Sequence, residues 1–238
     1  SPTKGLDPTL ELARELVGRG HRVVPHLSAR LVHSRDHLAR VLTDLESLEI
    51  IEAFVPAGDI EQPLGPYEGA ADLLEDMTLL GHHLEHVGIT GYPERHAFIP
   101  DQTTIDAMAR KVPHSTHIVS QICYDPDQVR NWVTAVRDRG VGLPVFLGIP
   151  GVIDRARLLR VSMRVGLGDS VRFLRKQHEV ASRMLTGYQP DELIDALEDL
   201  VGHPEARVAG WHLFTFNEVE RTEQWRQDLM ARLRQRAS

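Results

Sequence analysis

The sequence predicts an α/β fold in which a parallel sheet carries its helices on the outside. Three observations predict it. Strand-like and helix-like stretches alternate strictly, the connections between them are short, and polar residues collect just after the strands. Strands joined in this way are covered on both faces and read as near-continuous apolar runs. The 238 residues suffice for one large α/β domain or two small ones. No linker, low-complexity segment or fixed repeat marks a boundary, so residues 1–238 read as a single domain.

Each element has its own signal. Asp7-Pro8 followed by Leu10, Ala13, Leu16 and Val17 predicts a capped amphipathic helix, closed by Gly18 and Gly20. His21–Ala29 predicts a short strand that carries Pro25 and ends on polar groups. Ser34 then caps a helix with Leu38, Val41, Leu42, Leu45 and Leu48 on one face. Ile50–Asp59 predicts a second strand, and Leu73, Leu74, Met77 and Leu80 mark the helix after it. His86–His96 predicts a third strand, followed by a helix with Ile105, Met108, Ala109 and Val112.

The fourth strand, Thr116–Pro126, organises the rest. Ile118, Val119, Ile122, Cys123 and Tyr124 form an apolar run broken by Gln121. A Gln amide inside a strand must find partners or cost roughly 1–3 kcal/mol of desolvation. Asp125-Pro126 starts the next helix, with a carboxylate cap and proline at its first position. Val129, Trp132, Val133 and Val136 line that helix and Gly140 stops it. Leu143–Gly151 predicts a fifth strand. Helical stretches follow at Arg155–Arg164, Ser170–Leu185 and Asp191–Val201, then a sixth strand at Val208–Asn217 and a charged closing helix.

The composition narrows the function. The net charge of −7 argues against a broad nucleic-acid surface. The single cysteine, Cys123, leaves no internal disulfide and reads as a small packed hydrophobe. No run is long enough to span a membrane, so the expectation is a cytoplasmic protein without nucleic-acid or membrane partners. His82-His83, His86 and His96 share no fixed metal-ligand spacing, and no metal is expected. No Gly-x-Gly-x-x-Gly follows a strand, and there is no P-loop or His-Glu-x-x-His. The polar residues after the strands are His26, Ser28, Asp59, Tyr92, Glu94, His96, Gln121 and Asn217. Ligand sites of barrels and of open α/β sheets both lie at that end. Six strands are counted where a (β/α)8 barrel has eight, so an open six-stranded sheet and a barrel whose first strand-helix-strand lies upstream of Ser1 both fit.

The strand ends VPHLSA, FVPAGD, GITGYPERH, VSQICYD, LPVFLGIPG and WHLFTFN occur in that order. The series resembles the methylenetetrahydrofolate reductase family over nearly the whole chain. The resemblance implies a (β/α)8 barrel. It also implies an oxidoreductase of one-carbon metabolism that reduces 5,10-methylenetetrahydrofolate to 5-methyltetrahydrofolate, acting on a CH-NH group. The donor is NADH or NADPH, with NADH favoured, and in the usual member a bound FAD relays the hydride. The family's general acid, a Glu on the first strand, would lie upstream of Ser1. Asp59 matches the family Asp near pterin and flavin, a catalytic and folate-binding position. Gln121 matches the Gln that binds folate. His26 and Tyr92 match residues lining the flavin pocket, and Lys111 matches a Lys that reaches the cofactor's polar part.

Departures bear on the cofactor. The family's Leu-Arg-Gly-Asp reads Pro56-Ala57-Gly58-Asp59 here, which removes an Arg. Thr104 and Ala107 stand where polar FAD contacts are usual. The closing His-Phe-Tyr-Thr-Leu-Asn-Arg becomes His212-Leu213-Phe214-Thr215-Phe216-Asn217-Glu218, and Gly166–Lys176 departs from the usual region. Each lost charge-assisted phosphate contact costs roughly 1.5–3 kcal/mol. The expectation is a weak or absent flavin site.

Each position also has a plainer reading. Asp59 can be a turn or cap residue, His26 a hydrogen-bonded core histidine, Tyr92-Pro93 a strand stop, and Lys111 a solvated charge. Arg160–Arg164 and Arg172–Lys176 can hold a glutamate tail or line a solvated helix face. The alternative functions are a tetrahydrofolate-binding methyltransfer or demethylation component and a non-catalytic barrel subunit.

Overall fold

A computed structural model describes residues 5–94, 107–154, 157 and 190–237. They fall into two compact units, 1–91 with 102–119 and 92–101 with 120–238. The predicted helices at Arg155–Arg164 and Ser170–Leu185, and the positions His96, Thr104 and Gly166–Lys176, lie outside the described residues.

The first unit opens with α1 (Asp7–Gly18), which buries Leu10 and Ala13. The expected Asp7 cap is not made. Leu6 occupies the cap position without a side-chain bond, and Asp7 sits in the first turn, where its charge faces the positive helix end. Ser34 does cap α2 (Arg35–Ser47), its Oγ accepting from the His37 N–H. Leu38, Val41, Leu42 and Leu45 are buried as the spacing predicts, with His37 beside them. α3 (Ala70–Leu80) buries Leu73, Leu74 and Met77, while Leu80 is exposed.

Strands β1 (Glu52–Val55), β2 (His86–Gly91) and β3 (His117–Ser120) stand in chain order, the last residue of β3 belonging to the second unit. β1 and β2 run parallel, with Glu52 opposite His86 and Val55 opposite Ile89. Ala53, Val55, Ile89 and Ile118 are fully buried. Glu52 and Phe54 alternate with Ala53 and Val55 and are only partly covered.

The predicted strand His21–Ala29 forms no ladder, only a parallel bridge between His26 and Phe54. Pro25 explains the shortfall, because it has no N–H to donate. Its carbonyl accepts from Phe54 N, and Leu27 N donates to Phe54 O. Beyond it the backbone tightens into a single 3-10 turn, Ala29–Leu31.

The second unit holds the end of β3, α4 (Pro126–Asp138), β4 (Val145–Pro150), α5 (Asp191–Leu197), β5 (Val208–Phe214) and α6 (Val219–Ala237). β4 and β5 are parallel, Gly148 opposite His212 and Pro150 opposite Phe214. Asp125 caps α4 as expected, one oxygen accepting from the N–H groups of Asp127 and Gln128. Val129, Val133 and Val136 are its buried face, and Gly140 ends it at φ +76°. The predicted helix Asp191–Val201 is α5 followed by a 3-10 turn, Glu198–Leu200. The only cysteine, Cys123, is 1% exposed.

The fourth strand is shorter than the sequence suggests and stops at Ser120. Gln121 is therefore the first residue beyond it. Its own Oε1 accepts from Ile122 N at 3.0 Å and takes the donor that would continue the ladder. No helix among the described residues is long and apolar enough to cross a membrane. No group of three His, Cys, Asp or Glu among them could hold a metal ion.

Candidate functional site

The candidate residues are built on loops that leave the strands. In the first unit β1 ends at Val55, and Gly58 turns the chain at φ +100°. A Cβ on Gly58 would meet Ser28 Cβ at 3.2 Å, so that position needs glycine for both conformation and space. Asp59 follows, exposed, its carboxylate without a hydrogen bond or ion pair among the described residues. The loop beyond it is nevertheless held. Arg30 donates from Nε to Glu68 O at 2.8 Å and from Nη1 to Ile60 O at 3.0 Å. Leu64 N returns a bond to Arg30 O, and Tyr67, 2% exposed, donates its hydroxyl to Asp76. Burial and the Asp76 carboxylate together push that phenol's pKa upward. One guanidinium thus closes the loop from both ends, next to a carboxylate left in water.

His26 stands before this loop on the bridged segment. Its ring lies 4.8 Å from that of Phe54, tilted by 53°. Much of the residue is exposed, yet the packed side of the ring loses enough water to lower its pKa. The neutral imidazole is favoured at neutral pH.

Lys111 closes the helical turn 107–111 and is 7% exposed. Its Nζ donates to Thr90 O, near the end of β2, at 3.1 Å. Burial pushes the ammonium down to about 8. Below pH 8 folded and unfolded chains both carry the proton, and the folded state bears the full cost of a buried charge. Between pH 8 and the ordinary lysine value the unfolded chain holds more protons, so stability rises with pH. The depression corresponds to about 3 kcal/mol. Lys111→Met is therefore expected to raise stability by about 2 kcal/mol at pH 7, the loss of one donor to Thr90 offsetting part of the gain. It should also flatten the rise above pH 8. Thermal melts of parent and variant at pH 7 and pH 10 measure both effects. A variant less stable than the parent at pH 7 would refute the argument.

In the second unit Gln121 is half-buried just past β3. With its Oε1 on Ile122 N, the amide nitrogen has no partner among the described residues. Ile122 and Tyr124 pack with Ile153, and Phe214 and Phe216 close that cluster. Phe216 and Asn217 form the turn after β5 at φ +48° and +68°, closed by Glu218 N donating to Thr215 O. Asparagine tolerates this region, but a phenylalanine there stores about 1–3 kcal/mol of strain. Glu218 accepts from Arg157 Nη1 at 2.6 Å. Tyr92 is half-buried where the chain leaves β2.

Asp59, His26 and Lys111 thus belong to the first unit, and Gln121 and Tyr92 to the second. The sequence reading missed Arg30 and Phe216. Arg30 carried no signal, because its partners are backbone carbonyls 30 and 38 residues away. For Phe216 the signal was weak: an aromatic directly before Asn217 in a strand exit.

The family model for methylenetetrahydrofolate reductase matches residues 54–227, a span that contains Asp59, Tyr92, Lys111 and Gln121. Methylenetetrahydrofolate reductase 2 of Saccharomyces cerevisiae is 30% identical over 101 residues, covering 40% of this chain. The matched stretch is 17% of the yeast protein's length. With the family model covering well over half of the sequence, the chain belongs to the methylenetetrahydrofolate reductase family, whose fold is the (β/α)8 barrel.

Proposed function

We propose that this protein reduces 5,10-methylenetetrahydrofolate to 5-methyltetrahydrofolate with hydride taken directly from NAD(P)H, NADH being favoured. The observation that carries the reading is the family match over residues 54–227. Family membership supports a folate-related one-carbon reductase; the specific reaction is our inference. The methylene bridge must open to an iminium at N5 before hydride attacks its carbon, and opening needs a proton at the other nitrogen. Asp59 is the carboxylate we assign to the developing cation. Gln121 is assigned to the amide-like edge of the pterin, because its carboxamide both donates and accepts. No residue of the chain is assigned as the acid.

The family uses FAD together with a nicotinamide donor. Two features of the described residues support a weak or absent FAD site. Pro56-Ala57 supplies no guanidinium, and Glu218, a carboxylate where the family places a cation, is engaged with Arg157. We assign His26, Tyr92 and Lys111 to the nicotinamide donor instead, Lys111 after it exchanges the Thr90 carbonyl for a phosphate oxygen. Two measurements on purified protein test this. NADH oxidation should depend on methylenetetrahydrofolate, and the visible spectrum should lack a stoichiometric flavin band. Such a band would end the flavin-free version. Folate binding without NADH oxidation would replace the reductase with a binding or methyl-transfer component.

A further inference from the structure

The exits of β4 and β5 carry an arrangement that the assignments above leave unused. Phe214 lies directly on Gly148, where a Cβ would stand 2.7 Å from its Cε2. The missing carbon lets the ring approach the neighbouring strand closely. Phe216 stacks on Phe214, centroids 6.3 Å apart and planes 23° from parallel. Both rings pack against Ile122, Tyr124 and Ile153, which are all buried. Phe216 itself is only half-buried. Its φ of +48° is one that glycine takes freely and a bulky aromatic avoids. A ring needed only for the core would not have to be held partly out of it on a strained backbone. Strain of this kind collects at ligand clamps.

We propose that Phe216, backed by Phe214, is the platform on which the pterin ring of the folate stacks. The proposal rests on the folate reading given above. A pterin is a planar, polarised heteroaromatic ring, and phenylalanine takes such rings in offset stacks. Gln121 immediately precedes Ile122 of the same cluster, and its Oε1 is held on Ile122 N at 3.0 Å. That bond leaves both amide hydrogens for the ring edge. The glutamine reads the edge of the pterin, and the phenylalanine takes its face.

Calorimetric titration of the full chain with tetrahydrofolate, and separately with NADH, tests the platform. Phe216→Gly removes the ring and the strain together. It is expected to weaken tetrahydrofolate binding about tenfold. Its melting temperature should stay within roughly 3 °C of the parent, and its NADH affinity should be unchanged. Phe216→Tyr keeps an aromatic face and should bind within about threefold of the parent, whereas Phe216→Leu should not. Unchanged tetrahydrofolate binding in Phe216→Gly overturns the platform while the folate reading stands. A loss confined to NADH overturns the choice of ring. A parent that binds no tetrahydrofolate overturns both. If the glycine variant does not fold, the tyrosine and leucine variants decide, and equal affinity in the two overturns the proposal.

Discussion

Asp59→Asn is expected to lower turnover by about 10²-fold while leaving the melting temperature in place. The two halves of that expectation have separate causes. Asp59 is exposed and its carboxylate touches no described partner, so removing the charge breaks nothing that holds the fold. The loop around it is fixed by other groups: Gly58 makes the turn, Arg30 ties Ile60 and Glu68, and Tyr67 anchors the far side. Asparagine matches aspartate in size and can still accept a hydrogen bond. What it lacks is the full negative charge that an iminium requires in the transition state. Folded-state geometry is preserved and electrostatic stabilisation is lost, so kcat should fall with little change in the KM for folate. Steady-state NADH oxidation with methylenetetrahydrofolate, alongside a thermal melt, separates the two. A near-normal rate would remove Asp59 from the mechanism. A fallen rate with a fallen melting temperature would turn it into a structural residue.

Gly148→Ala should produce the largest loss of stability among single methyl additions to the sheet. The new Cβ would stand 2.1 Å from the carbonyl oxygen of Ser120 and 3.1 Å from its carbon. These are backbone atoms of β3 and cannot swing aside as a side chain would. The strands are also tied at this level, because Gly148 N donates to the buried Ser120 Oγ at 2.8 Å. Relief therefore requires the Ser120 backbone to move away from β4 and the Phe214 ring to lift. Overpacking of this kind costs about 3 kcal/mol or more. For a chain of this length that corresponds to a melting temperature roughly 6–12 °C lower. Gly18→Ala serves as the comparison, since a Cβ at Gly18 meets nothing within 4 Å. It should leave stability unchanged or slightly raised. Equal melting temperatures for the two variants would show that the sheet yields at Gly148.

The helices were legible because their signals are local. Ser34 and Asp125 cap α2 and α4 through bonds to residues two or three positions away, and the buried faces of both follow the 3.6-residue period. The strand exits were less legible. A run of β-branched and apolar residues continues past the point where the ladder stops, as Ile122, Cys123 and Tyr124 do after Ser120. Those residues are buried by packing, not by strand pairing, and hydrophobicity cannot tell the two apart. Likewise the apolar stretch before Pro25 looks like a strand until the missing donor is counted against the partner's needs.

The sequence by itself determined the α/β class, the chain order of the strands, and the family, because periodicity, caps and motif order are properties of neighbours along the chain. It also located Asp59 and Gln121 at strand exits. Only the tertiary structure decided that Lys111 is buried on the Thr90 carbonyl, that Arg30 closes the Asp59 loop, and that Phe216 is held strained on Phe214. Each of those depends on a partner distant in sequence or on a backbone dihedral. No local pattern encodes desolvation of an ammonium or the space left by a glycine on the next strand.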